Sequence, residues 1–455
     1  MSEQQSMTGY PPAPPPQWGA PPPPYRSQQP VGFQGVSQVI VTALLVAVAF
    51  GAGWFGNVYT SRNATAPASD PQLQSIVQAY NAISDGYFDP TVADRKKMAY
   101  AAITAMVDSL GDTGHSRFQT PADVQQENNS LQNKCTVGLG VLLSGGGDQP
   151  LRIDEVFPNS AADGKLKPGD IIIAVNGTDI KGKTIDEVRP LIAGNSEIGS
   201  SVMLTIQRPG VAAPIDLTLT RSCFTVPFVT SYIIPELNIA DIQIVQFGAS
   251  QTDPSDTTDS ELRKALKDAN AHGVKGIILD LRDNPGGYLD QATLVASEFI
   301  PAGPGKNVYI SRTRTTRTLE PVQAGGLNTT TPLTIMVNGN TASAAEIVTA
   351  AIAYNRPEVH VLGVHTFGTD TILTTVPLAN GGAILLGTQQ WLTPGGQNVR
   401  TTGVVPDQVV PLPDGATEIT PLVASENNLT LAQMRAGQDA QLKQAIQNLS
   451  AVIGG

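Results

Sequence analysis

Two apolar runs in the second half of this 455-residue chain restrict its architecture more than any other feature. The first, Ile277 to Leu281, is apolar except for Asp280 and runs into the turn Arg282-Asp283-Asn284-Pro285-Gly286-Gly287. The second, Leu333 to Val337, runs into Asn338-Gly339-Asn340 and then Thr341-Ala342-Ser343. Continuously apolar strands suit a parallel sheet covered on both faces, because neither face meets water. Around them strand-like and helix-like stretches alternate from about 224 to 410. Ile239 to Phe247 precedes a helix near Ser260 to Ala269, and Val359 to Val364 follows the helix after Ser343. Such alternation predicts an α/β core.

Downstream of Ser343, residues Ala344, Ile347, Val348, Ala351 and Ile352 repeat at the spacing of one buried helix face. Ser343 therefore stands at a helix amino end, where free N–H groups and the helix dipole favour an alkoxide or oxyanion. A plain capping serine fits the same position. The glycines of the first turn, Gly286 and Gly287, leave backbone N–H groups bare, as an oxyanion hole requires.

Upstream, Ala99, Ile103, Met106 and Leu110 mark one face of a helix that Gly111 ends, and an irregular stretch from Asp112 to Phe118 contains His115. From Val137 to Arg208 the texture changes to short alternating strands, with a small helix and a turn expected within Asn159 to Gly169. A last helix near Gln438 to Leu449 carries Leu442, Ile446 and Leu449 on one stripe and should pack back on the body.

The amino end is different. Residues 1–35 are rich in Pro and Gln and read as a disordered arm. Residues 36–59 contain no charge, are long enough to span a bilayer as a helix, and carry Trp54 and Tyr59 as interfacial residues. An uncleaved anchor is expected rather than a signal peptide, whose apolar part would be shorter and nearer the start. The default topology leaves the arm inside and the body outside the cytoplasm. A net charge of −11, without a Lys/Arg run, excludes a nucleic-acid partner. Cys135 and Cys223 bracket the strand-rich segment; they either pair and clip its neck or stand as separate thiols.

The words VGLGV (Val137 to Val141), NSAADGKLKPGDIIIAVNG (Asn159 to Gly177) and IDEVRPLI (Ile185 to Ile192) resemble a bacterial-protease PDZ domain. That resemblance implies that Gly138, Leu139, Gly140 and Val141 form a backbone nest for a peptide's terminal carboxylate, with the peptide added as a strand. With LRDNPGG (Leu281 to Gly287), TASAAEI (Thr341 to Ile347), WLTPGGQ (Trp391 to Gln397) and GVVPDQVV (Gly403 to Val410), the chain resembles the carboxyl-terminal processing, or tail-specific, proteases. The resemblance implies a crotonase/ClpP-like α/β peptidase core with an inserted, mostly β PDZ domain behind a transmembrane helix. The expected divisions are 1–35 arm, 36–59 transmembrane helix, 60–72 linker, 73–134 helical part of the peptidase, 135–223 PDZ domain, 224–412 core and 413–455 tail. It further implies Ser343 as nucleophile, with Gly286, Gly287 and the Ala344 N–H as oxyanion donors, and protein substrates with exposed carboxyl-terminal tails. Neither metal nor cofactor is implied.

One position breaks the pattern. The family's activating lysine aligns with Thr369, whose hydroxyl is no better a base than serine's own. A histidine is the natural replacement. His115 matches a segment that supplies the histidine in related tricorn-type proteases, whereas His365 aligns with an ordinary loop position. Two expectations follow: a membrane-anchored, extracytoplasmic serine endopeptidase with His115 as base, or a pseudoprotease that binds tails through the PDZ domain without turnover.

Overall fold

The computed structural model describes residues 70–454, apart from 113–114, 133–135, 148, 195–196, 251–252, 254–255 and 414. The expected arm, transmembrane helix and most of the linker lie outside the described residues. Among the described residues no helix is long and apolar enough to cross a membrane.

The described residues up to 94, from 70, belong to a unit of their own that contains the helix Pro71–Gly86. Asp70 starts it by accepting from Gln72 N at 2.8 Å, and Pro71 occupies the first turn, where a missing N–H does no harm.

In the second unit, 95–455, the helix Arg95–Asp108 forms where expected but buries a different stripe. Val107 is its buried residue, while Met106 and Leu110 are about half exposed. The stripe turns by one position because the side of the helix bearing Tyr100 is recruited: its ring packs on Phe118, centroids 5.0 Å apart.

The central sheet has six strands in the order Val229–Ile234, Ile239–Ile244, Gly276–Asp280, Leu333–Val337, His360–Gly363, Gln408–Val409. All pair in parallel except the first, which pairs antiparallel with Ile239–Ile244. Both faces are covered. Ile277, Leu279 and Leu281 face the helices Thr258–Ala271, Leu289–Phe299 and Ala344–Asn355. Ile278, Met336 and Leu362 face Leu442, Ala445, Ile446 and Leu449 of the last helix, Ala440–Ile453. Cutting Leu449 back to Ala would cost about 2–5 kcal/mol in so dry a contact.

The period of two also places Asp280 on the face of that last helix. There it meets Arg282, which also bonds Asp439, the helix's N-cap, at 2.9 Å. Burial drives the Asp280 and Asp241 carboxyls upward from their ordinary range. The strand order thus sets a charged knot directly beneath the Asp283–Gly287 turn.

The strand-rich segment forms its own sheet, ordered Val141–Gly146, Gln149–Val156, Ile171–Val175, Ser201–Gln207, Ile215–Thr220. Its core centres on Ile153, Val188, Leu204 and Leu219. The helix Ile185–Ala193 is opened by a Thr184/Glu187 capping box. The small helix expected after Asn159 is absent. Turns replace it, because Ala162 N is spent on Leu139 O at 2.9 Å rather than on a helical carbonyl. At the neck, Thr136–Gly138 pairs antiparallel with Ser222–Phe224. Cys223 is disulfide-bonded, in a sequence with two cysteines; Cys135 itself lies outside the described residues.

A further sheet includes Arg117–Gln119, Thr371–Pro377 and Ala383–Leu392, and residues of these strands line a cavity together with the turns that follow two of the parallel strands.

Candidate active site

Ser343 sits at the sharp hand-over from the strand Leu333–Val337 to the helix Ala344–Asn355, with φ +54° and ψ −118°. A non-glycine residue in this region is strained by about 1–3 kcal/mol and persists only where its surroundings hold it. Three groups hold it. Ser343 N donates to Glu346 Oε2 at 2.9 Å and to Thr369 Oγ1 at 3.0 Å. Ala342 N donates to Asn284 O at 2.9 Å, tying the serine turn to the glycine turn. The helix start is thus fixed through the Ser343 backbone.

Glu346 is fully buried and gathers the loop carrying Thr369. Its Oε1 accepts from Thr366 Oγ1 at 2.6 Å and Gly368 N at 2.8 Å, and its Oε2 from Thr369 N and Oγ1 at 2.9 and 2.7 Å. Sequence reasoning did not single it out, although an acidic residue three positions after a cap is a readable signal.

Gly286 and Gly287 are glycines for steric reasons. A Cβ on Gly286, at φ +98°, would lie 2.7 Å from Ser343 Cβ; one on Gly287, at φ +137°, would lie 2.1 Å from Phe247 O. Their N–H groups are placed differently. Gly286 N already donates to Asn284 Oδ1 at 2.8 Å, a bond that shapes the turn. Phe247 N bonds Gly286 O and Tyr288 N bonds Phe247 O, so Gly287's own N–H points away from that strand. The Ala344 N–H is one of the orphan donors of a helix start.

His115 reaches the site from 228 positions earlier in the chain by sheet pairing: Arg117–Gln119 pairs with Ala383–Leu385. His115 N bonds Asp112 O at 3.2 Å, Ser116 N bonds Asp112 Oδ2 at 2.9 Å, and Ser116 Oγ receives Gly387 N at 2.9 Å. The imidazole Nδ1 is hydrogen-bonded to Thr371 Oγ1. Burial, and then the Arg117 charge, push the imidazole below its ordinary pKa, against smaller opposing pulls from Asp112 and Asp370.

His115, Ser343, Gly286, Gly287, Thr369 and Thr371 all line one cavity of about 520 Å³. Its apolar wall includes Leu289, Ile347, Phe367, Ile372, Leu373 and Leu385. The other histidines are elsewhere: His365 Nδ1 contacts Thr402 O, His360 Nδ1 contacts Asp407 and His272 Nδ1 contacts Asp268.

In the strand-rich segment, Val141–Gly146 is an edge strand, paired with Gln149–Val156 on one side. The carbonyls of Leu139 and Gly140 are turned back to receive Ala162 N and Phe157 N, both at 2.9 Å. Gly140, at φ +75°, packs so closely on Ser160 that a Cβ would lie 2.1 Å from its Cβ.

The family model for Peptidase family S41 matches residues 238–410, and that for the PDZ domain matches 131–207. Carboxy-terminal processing protease CtpA of Bacillus subtilis is 32% identical over 386 residues, covering 83% of this chain and 77% of its own length. The carboxy-terminal-processing protease of Bartonella bacilliformis is 30% identical over 332 residues, 71% of this chain and 72% of its own. A solved Bacteroides fragilis structure bearing the S41 protease name superposes with a TM-score of 0.56 at 19% identity, covering 77% of this chain and 90% of that one; this likeness concerns the fold.

Proposed function

This chain belongs to the S41 peptidases, the carboxy-terminal processing proteases, and from that premise we propose that it cleaves proteins by a Ser343–His115 mechanism in place of the family's serine–lysine pair. The observation carrying this reading is that Ser343 and His115 line one cavity while Thr369 occupies the lysine position, its hydroxyl committed to Glu346 and Ser343 N.

The steps follow from the groups present. With Nδ1 engaged by Thr371, Nε2 is the nitrogen left to take the Ser343 Oγ proton. Oγ then bonds to the scissile carbonyl carbon, whose oxygen becomes an oxyanion facing the N–H groups of Ala344 and Gly287. The imidazolium returns its proton to the leaving amine, and an acyl-enzyme remains. Water then gives a proton to His115 and its oxygen to the acyl carbon, the acyl–Oγ bond breaks, the imidazolium returns its proton to Ser343 Oγ, and the carboxyl-ended product leaves. Each lost oxyanion donor costs roughly 10²–10³-fold in kcat.

The PDZ domain would present substrate tails, each adding a strand beside Val141–Gly146 with its carboxylate on the Gly138–Val141 loop. In the same reading, residues 36–59 anchor the chain in a membrane with its body outside the cytoplasm; the disulfide-bonded Cys223 suits an oxidising compartment.

The test is fluorophosphonate labelling and cleavage of a tagged unstructured protein by the full chain, beside Ser343→Ala and His115→Ala. Labelling and turnover lost in Ser343→Ala, and reduced at least about 10²-fold in His115→Ala, support the reading. Tail binding without turnover in the unmodified protein overturns it.

A further inference from the structure

The geometry points to Thr371 as the residue that positions the imidazole of His115, so that one short segment, Thr369-Asp370-Thr371, sets the spacing between nucleophile and base. This inference rests on the proposed role of His115. Thr369 Oγ1 holds the backbone of Ser343 at 3.0 Å, and two residues on, Thr371 Oγ1 holds Nδ1 of His115. Two residues of extended chain span about 6–7 Å, a length suited to a serine and a histidine facing each other across the cavity that both threonines line.

Thr371 is itself rigidly held. It opens the strand Thr371–Pro377, in register with Gln390 of the neighbouring strand. A Cβ on Gly387 would lie 2.9 Å from both Cβ and Cγ2 of Thr371 and 3.3 Å from Ser116 Oγ. Glycine at 387 therefore leaves room for Thr371 and for the loop that carries His115, and a β-branched side chain wedged there has little rotamer freedom. Asp370, between the two threonines, anchors the segment from behind by accepting from Gln390 Nε2 and Asn398 Nδ2, while its carbonyl accepts from Trp391 N at 2.9 Å.

The chemistry follows from the tautomer. A histidine that removes a proton through Nε2 carries its own proton on Nδ1, and Nδ1–H then donates to Thr371 Oγ1. A carboxylate commonly fills this place. The acidic neighbours here are engaged otherwise: Asp112 accepts from Ser116 N, and Asp370 serves Gln390 and Asn398. A neutral hydroxyl fixes tautomer and ring orientation, as a carboxylate would, but gives the imidazolium less charge stabilisation. The protein therefore assembles its base with a partner whose conversion to a carboxylate has a distinctive signature.

The experiment measures kcat, KM and the pH profile of kcat/KM for the full chain and for Thr371→Val, Thr371→Ser and Thr371→Asp, with His115→Ala beside them. The expected result is a kcat lowered about 10–100-fold in Thr371→Val with KM within about threefold, and near-normal kcat in Thr371→Ser. In Thr371→Asp the acid limb should move to higher pH, because a carboxylate beside Nδ1 stabilises the imidazolium. Wild-type kcat in Thr371→Val, or an acid limb unmoved in Thr371→Asp, overturns the inference while leaving His115 as the base. Full activity in His115→Ala overturns the reading on which it rests. If the valine variant fails to fold, the serine and aspartate profiles still decide.

Discussion

Thr369 Oγ1 accepts a hydrogen bond from Ser343 N at 3.0 Å and donates one to Glu346 Oε2 at 2.7 Å. Thr369 is thus part of the scaffold that holds the strained backbone of Ser343. Thr369→Val is expected to leave Ser343 N and Glu346 each one bond short inside a buried site, lowering stability by about 1–3 kcal/mol. Fluorophosphonate labelling should slow with it, and Thr369→Ser should restore both. Unfolding midpoints equal in the valine and wild-type proteins would count against this role.

The second prediction concerns pH and activity. General-base catalysis needs neutral His115, and burial holds its pKa below the ordinary 6.5. A lowered pKa keeps the imidazole neutral further into acid, so the acid limb of kcat/KM should have its midpoint below pH 6.5. An acid limb at or above 6.5 in the unmodified protein would contradict it.

Gly286 gives the third. Its missing side chain is replaced by the Ser343 Cβ, the Ala342 carbonyl and the Ala344 N–H, which a Cβ would meet at 2.7, 2.9 and 3.0 Å. In Gly286→Ala, the serine turn must move or the glycine turn must open, and kcat should fall about 10²-fold. Tail binding by the PDZ domain, read by fluorescence polarisation of a labelled peptide, should be unchanged. An alanine variant that turns over normally would show the packing to be slack.

Glu155 links the PDZ domain to the core's last segment through its hydrogen bond with Thr420. Burial raises its pKa to about 7 from an ordinary 4.5, partly offset by that bond. Because the folded value lies above the unfolded one, its contribution is complete below about pH 4.5 and is lost as pH rises through about 7. Glu155→Gln should flatten this slope and stabilise the protein at pH 8 by about 1–3 kcal/mol relative to wild type. Thermal unfolding followed from pH 5 to 8 measures it, and parallel curves for the two proteins would refute it.

Much of the architecture was legible in the chain. Apolar runs at Ile277–Leu281 and Leu333–Val337 announced covered parallel strands because each strand's two faces had to be dry. Ser343 could be placed at a helix start because the spacing from Ala344 to Ile352 has one geometric solution. The stripe on Arg95–Asp108 was misjudged, since several apolar positions competed and Phe118 decided which side was buried. The hydrogen bond that Gly286 N gives to Asn284 was not legible either, because composition does not reveal a side chain folding back on its own turn.

The sequence by itself placed the two central apolar strands, the helix start at Ser343 and the helix at the carboxyl end, because these depend on periodicity and on residue chemistry within a few positions. Only the tertiary structure decided which distant side chains share the cavity of Ser343. His115 and Thr371 are 256 residues apart and meet because the strand Ala383–Leu392 pairs with Arg117–Gln119 on one side and with Thr371–Pro377 on the other. Sheet register, which is set by all three strands together, brings the imidazole to the serine's cavity.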